Sequence, residues 1–488
     1  MEFPLNRSKL PMAAVLPPDA FIDPSGANAI AVETLLRQGL ALLLDQATTA
    51  DHRDLVPAAL NLDAIAPIPD QSIPLADLLP TLKTLCAASM NAAHPGYFGH
   101  MDSLPTTVSI VGDAIAAALN NNLLSVEMSP LFSRLEPLVL RQIAQMFGLG
   151  DRAGGVLVSG GTLANLHALA VARNRAFPQA VTQGIGNHRP VLFASELAHT
   201  SIQKAAMLLG LGTEAVIPLA TTDRAHVQIE DLTAKLAAAQ AAGQTPFAIV
   251  GIAGTTVTGN IDPLPELAAI ARAHQLWFHV DAAYGGALIF SPQECDRLAG
   301  IEQADSVTFN PQKWLYVAKT CAMVLFRDLK TAHAQFRIAA PYMHQDEDWP
   351  NLGEISVQGT RHADILKLWL SLQHIGRAGY AALINDSYPR TAEFAAQIHA
   401  RPYLTLASPP EMNILCFRGT PDWLAPTAWD AWNRALQHTL LQTGRFFLSL
   451  PHYQGAAWLK AVLLNPYTER SHILDLFQHI DHFAETHR

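Results

Sequence analysis

Residues 156–326 repeat one pattern, and that pattern restricts the fold more than any other feature of the chain. Short apolar runs occur at 156–158, 191–195, 215–219, 247–252, 276–281, 306–309 and 321–326. Helical apolar spacing follows several of them, at 163–173 (apolar at 163, 166, 169 and 170), 232–242 and 265–274. Runs that are apolar at nearly every position read as strands buried on both faces. Such strands alternating with helices predict an α/β fold, a mostly parallel sheet with helices on both faces. In open sheets of this kind ligands bind beyond the carboxyl ends of the strands. The residues just after each run are therefore where chemistry is expected.

Two of those ends carry complementary groups. The run 276–281 closes on Asp281, and Ala282-Ala283-Tyr284-Gly285-Gly286 follows, mostly small residues that leave room for a flat ring. The run 306–309 meets Pro311, which cannot continue a strand ladder. Lys313, in Asn310-Pro311-Gln312-Lys313-Trp314, thus sits on the turn beyond the strand. Most lysines lie on solvated surfaces; few follow an apolar strand in this way. An acid and a lysine on neighbouring strand ends meet two needs of pyridoxal phosphate (PLP). The lysine offers an amine for the aldehyde. The carboxylate keeps the pyridine nitrogen protonated, which makes the ring an electron sink. The turn Ser159-Gly160-Gly161-Thr162 enters a helix and exposes N–H groups that suit a phosphate, although Thr162 could equally be a simple N-cap.

His279-Val280-Asp281-Ala282-Ala283-Tyr284-Gly285-Gly286 and Asn310-Pro311-Gln312-Lys313-Trp314 resemble the motifs of the group II PLP-dependent amino-acid decarboxylases. That family acts on aromatic amino acids, glutamate, cysteine sulfinate and diaminobutyrate. The resemblance spans residues 80 to 475, and the family usually has histidine where Gln312 stands. It implies PLP fold type I, aspartate-aminotransferase-like, with a large PLP-binding domain at 86–377. A helical segment at 1–85 would pack on a partner subunit, and 378–488 would form a small α+β domain. It further implies a homodimer with its active site at the interface, releasing carbon dioxide and an amine from an L-amino acid.

Carried over residue by residue, the resemblance assigns Lys313, Asp281, His199 and Tyr342 to catalysis. His199 would stack on the pyridine face, and Tyr342 would return a proton after carbon dioxide leaves. A phenylalanine at 342 accompanies aldehyde synthases, so the tyrosine favours plain decarboxylation. Gly160, Gly161, Thr162, Thr255, Ala283 and Gln312 would complete the cofactor site. Phe98, His100, Met101, Asp102, Leu124 and Arg361 would line the substrate pocket, Leu124 reaching the neighbouring subunit's site. On the residues alone, Asp102 could face solvent, and Arg361 could cap a nearby acid.

The pocket hints conflict. Arg361 suggests an acidic substrate, Asp102 a basic one, and Leu124 with Met101 an aromatic one. Two rival readings stand beside decarboxylation: an aminotransferase or desulfurase on the same fold, and a weakly active scaffold relative, which Gln312 keeps open because glutamine cannot titrate near neutrality.

Composition narrows the rest. Net charge is −10 without a basic run, against nucleic-acid binding. Half the residues are hydrophobic, which an extensive subunit interface would explain. No apolar run reaches the ~18 residues of a spanning helix. The stretch 12–16 runs into Pro17-Pro18, a poor signal peptide. Four scattered cysteines form neither a metal pattern nor a disulfide framework, as expected of a cytoplasmic protein. In the C-terminal part, 412–417, 445–450 and 458–464 read as strands and 427–443 as a helix.

Overall fold

The structure, a computed structural model, describes residues 17–341 and 349–488, except 18, 58, 64 and 103. Seven strands form the main sheet: β1 (Gly154–Val158), β2 (Pro190–Ser195), β3 (Val216–Leu219), β4 (Thr245–Ile252), β5 (Trp277–Asp281), β6 (Ser306–Phe309) and β7 (Ala322–Phe326). Their order is β1-β7-β6-β5-β4-β2-β3. From β3 across to β6 the neighbours are parallel. Only β7 runs against both of its neighbours, β6 and β1.

Alternation along each strand sends side chains into two separate cores. Leu157, Phe193, Ile249, Phe278 and Val307 join one; Val156, Leu192, Ala248, Trp277 and Val324 join the other. Helices Phe132–Met146 and Leu264–Ala273 contribute to the first core. Helices Gly161–Ala176 and Ser201–Leu208 contribute to the second. Burial on both faces explains the unbroken apolar runs. It also means that polar residues within the strands, such as His279 and Ser306, need partners inside.

Helix Asp364–His399 is interrupted at Gly376, whose φ of 67° lies outside helical space. Beyond it the chain builds a smaller body. Leu404–Leu406, Ile414–Gly419 and Leu459–Val462 form a three-stranded antiparallel sheet. Helices Trp429–Gln442 and Arg470–Thr486 pack there around Phe394, Phe417, Trp432 and Phe477. One expectation needs correction. Residues 445–450 are not a strand: Phe447 and Ser449 make isolated bridges, to Tyr97 and Lys460. The Phe447 N–H donates to the Gly96 carbonyl and its own carbonyl accepts from the Phe98 N–H, so this backbone serves the loop at 96–98. In the helix Arg470–Thr486, Ile473, Leu476, Phe477, Ile480 and Phe483 recur at helical spacing.

Helix Ala29–Thr48 buries Val32 but leaves Leu36 and Leu44 each 58% exposed. Among the described residues no helix is long and apolar enough to cross a membrane.

Candidate active site

β5 and β6 are parallel neighbours with Asp281 opposite Thr308. Asp281 and the turn after β6 therefore emerge at one sheet edge. The Lys313 N–H donates to the Asn310 carbonyl at 3.0 Å and closes that turn. Here the chain leaves a cavity of about 150 Å³, walled by Gly161, Thr162, Asn165, His199, Thr256, Asp281, Ala283, Asn310 and Lys313 among others. A larger cleft of about 550 Å³ opens at the opposite sheet edge around Arg175, Arg272 and Trp277. It contains none of these groups, and the smaller cavity is the one that gathers an amine, a carboxylate and an imidazole.

Asp281 is buried. Its Oδ2 accepts from Asn165 Nδ2 at 2.8 Å and its Oδ1 from the Ala283 N–H at 3.1 Å. Lys313 Nζ lies 3.9 Å from the Met101 sulfur. Burial pushes the Lys313 pKa down, against the pull of Asp281 and Asp102, and this favours the free amine a nucleophile needs. His199 Nδ1 receives the Ser201 hydroxyl at 2.8 Å and the Ser201 N–H at 3.2 Å. A ring nitrogen that accepts carries no proton, so the proton of neutral His199 sits on Nε2. Burial lowers the pKa of His199 more than Asp281 raises it, which keeps the ring neutral.

Helix Gly161–Ala176 starts at the cavity. Its first N–H groups have no carbonyl within the helix to meet. A Cβ on Gly161 would come within 2.9 Å of Asn310 Nδ2, and Asn310 Oδ1 is buried without a partner. These residues fit PLP: open backbone donors for its phosphate, a carboxylate for its ring nitrogen, and an amine for its aldehyde, all around one cavity.

Several expected residues are placed elsewhere. Thr255 turns away from the cavity. Its hydroxyl bonds Thr258 Oγ1 at 2.7 Å and accepts the Thr258 and Gly259 N–H groups. Ile252, Gly254 and Thr256 line the wall instead, at the end of β4 and in the turn that follows it. Phe98 is fully buried in the core of the smaller body, against Phe394, so it is not a pocket residue. Arg361 Nη2 holds buried Glu136 at 2.6 Å and the Leu157 carbonyl at 2.9 Å, the acid-capping alternative. Leu124 packs over Gly353 and is not among the residues that wall the cavity. Asp102 pairs with Lys319 at 2.8 Å. His100 is exposed beside Phe447. Gln312 accepts the Cys321 N–H at 2.5 Å through its side-chain carbonyl, tying the turn to the chain entering β7. Met101 sits buried near Lys313. Tyr342 lies outside the described residues.

Sequence reasoning missed Asn165 and Lys460. Asn165 lies one helical turn beyond the glycine turn, among alanines and leucines, and an amide there is a visible signal. Lys460 interrupts the apolar run 458–464 and is only 5% exposed. Its Nζ donates to the Thr256 carbonyl at 3.1 Å and makes no ion pair among the described residues. Burial lowers its pKa to about 8, and the nearby Lys313 charge adds to the fall.

Residues 60–420 match the pyridoxal-dependent decarboxylase conserved domain. The chain belongs to the pyridoxal-dependent decarboxylases. L-2,4-diaminobutyrate decarboxylase of Rhizobium meliloti is 34% identical to it over 410 residues, covering 83% of this chain and 81% of the relative. The acidic amino acid decarboxylase GADL1 of Xenopus tropicalis is 30% identical over 421 residues, covering 83% and 82%. The crystal structure of mouse CSAD superposes with a TM-score of 0.87 at 27% identity, covering 93% of this chain and 99% of that one. The chain is thus a PLP-dependent amino-acid decarboxylase, and the group that its cavity fits is the cofactor of its family.

Proposed function

We propose that this decarboxylase acts on an L-amino acid with an anionic side chain. The observation that carries this reading is Lys460, a buried cation beside the cavity wall whose only partner among the described residues is a backbone carbonyl. A buried charge needs compensation. A substrate carboxylate or sulfinate would supply it. Asp102, the group that would recognise a basic substrate, is already paired with Lys319. Similarity to an acidic amino acid decarboxylase supports the same reading.

Bound PLP supplies an electron sink for the bond to the departing carboxylate. The chain's own residues do the rest. Lys313 would hold the cofactor's aldehyde, Asp281 would pair with its ring nitrogen, and His199 would face its ring. Lys460 anchors the side chain rather than the leaving carboxylate, because a firm grip on the latter would stabilise the ground state. Tyr342 is assigned return of a proton to Cα. We take the enzyme to be a cytoplasmic homodimer built from units near 1–85, 86–377 and 378–488. The uncovered leucines of Ala29–Thr48 support a subunit interface, and four free cysteines suit a reducing compartment.

The test is carbon dioxide release from glutamate, aspartate, cysteine sulfinate, 2,4-diaminobutyrate, tryptophan and dopa by the purified holoenzyme. Acidic substrates are expected to react, and Lys460→Met is expected to raise their KM by about tenfold or more without removing the visible cofactor band. Carbon dioxide from diaminobutyrate or the aromatics alone would overturn the substrate class. A visible band that persists in Lys313→Ala would overturn the site.

A further inference from the structure

Trp277, His279 and Asp281 are alternate residues of β5, so they share one face of the sheet, the face on which helix Gly161–Ala176 packs. Ser306 of β6 stands beside His279 in register. The polar groups of this buried row form one continuous chain. Trp277 Nε1 donates to Ser306 Oγ at 2.8 Å. Ser306 Oγ lies 2.9 Å from His279 Nδ1, and His279 Nε2 lies 3.0 Å from Asn165 Oδ1. Asn165 Nδ2 then donates to Asp281 Oδ2 at 2.8 Å and to Ser201 Oγ at 2.9 Å. Ser201 Oγ reaches His199 Nδ1 at 2.8 Å.

The directions are fixed at the carboxylate. The Asp281 carboxylate can only accept, so Asn165 turns its N–H groups to Asp281 and Ser201 and its Oδ1 to His279 Nε2. Neutral His279 then carries its proton on Nε2 and donates to Asn165. Its Nδ1 is left to accept from Ser306 Oγ, which itself accepts from Trp277 Nε1. Ser201 passes its hydroxyl hydrogen to His199. If the Asn165 amide were flipped, its oxygen would face the Asp281 carboxylate, acceptor against acceptor. Burial keeps His279 neutral by lowering its pKa, which the chain requires.

We propose that Asn165 and His279 are positioning residues of the decarboxylase. His279 Nε2–H on one side and the Asp281 carboxylate on the other hold the Asn165 amide, which, through Ser201, presents a hydroxyl to His199 Nδ1. The buried row along β5 thus supports both side chains assigned to the cofactor ring. The inference rests on that assignment of Asp281 and His199.

The experiment titrates PLP into cofactor-stripped enzyme, and follows the visible band of the holoenzyme against pH, for His279→Leu, His279→Gln, Ser306→Ala and Asp281→Ala. A glutamine amide can donate from near the position of Nε2–H, whereas leucine cannot. His279→Leu is expected to weaken PLP binding about tenfold and to shift the pH profile of the band. His279→Gln is expected to restore both to within about threefold of wild type. Ser306→Ala removes one hydroxyl with little change in volume, so it remains informative if His279→Leu does not fold, and it is expected to act in the same direction. Wild-type affinity and pH profile in Ser306→Ala, or equal effects of leucine and glutamine at 279, would overturn the proposal. If Asp281→Ala binds PLP as tightly as wild type, the assignment of Asp281 fails first. If Asp281→Ala loses PLP while Ser306→Ala and His279→Leu do not, the positioning role alone fails.

Discussion

Replacing Glu136 by leucine tests what Arg361 is for. The Arg361 and Glu136 side chains are 4% and 0% exposed and meet at 2.6 Å. Removing one partner of a buried pair leaves an uncompensated charge and costs about 3–5 kcal/mol. Glu136 Oε1 also accepts the Leu157 N–H at 2.9 Å, and losing that acceptor places the cost in the upper half of the range. For a lobe of this size each kcal/mol is worth about 2 °C in Tm, so a fall of about 8–10 °C is expected. Circular dichroism on heating reads it directly. The pair is imperfectly satisfied, since Glu136 Oε2 and Arg361 Nη1 are buried without partners among the described residues. The double variant Glu136→Leu/Arg361→Leu should therefore recover at least half of the loss, as apolar replacement of buried pairs often does. Its KM should stay within about threefold of wild type, because uniform binding was never supplied by Arg361. A Tm change under about 2 °C in Glu136→Leu would refute the ion-pair argument. A double variant with recovered Tm but a much raised KM would show that Arg361 holds substrate after all.

Two further outcomes follow from other parts of the molecule. His226 and Glu411 meet at 2.5 Å and join the loop before helix Ile229–Ala241 to the smaller body. The hydrogen bond to Glu411 raises the His226 pKa above its ordinary 6.5. Its contribution is therefore complete below that value and is lost as pH rises through the folded value. The Tm difference between wild type and His226→Phe should be widest in mildly acidic buffer and narrow in alkaline buffer; a difference that widens with pH would refute the assignment. Gly161→Ala forces Asn310 to move, because the new Cβ would lie 2.9 Å from its Nδ2. PLP affinity should fall about tenfold with little change in Tm, and an unchanged affinity in a titration would show that this close approach does not shape the phosphate site.

Much of this enzyme was legible before any coordinates. Runs such as 247–252 and 276–281 are apolar because both faces of the sheet are covered, so their composition alone announced buried parallel strands. A strand end is a local feature, and Asp281 and Lys313 could be placed at the sheet edge from the residues around them. The helix Arg470–Thr486 is equally legible from its apolar spacing.

What stayed hidden depends on neighbours remote in the chain. Thr255 and Thr256 both follow the apolar run 247–252, and the residues do not show which of them meets the cavity; that is decided by the folded turn, in which the Thr255 hydroxyl is held by Thr258 and Gly259. Whether Arg361 faces substrate or an acid depends on Glu136, 225 residues earlier. Asn165 reaches Asp281 across 116 residues, and His279 meets Ser306 only because β5 and β6 pair in that register. The main-sheet strands and the pair of groups that calls for PLP were readable locally, because they rest on burial of short runs and on turn chemistry. Only the tertiary structure decided which polar groups face each other, because a buried donor is satisfied by whatever acceptor packing brings within about 3 Å, and that acceptor usually comes from another element.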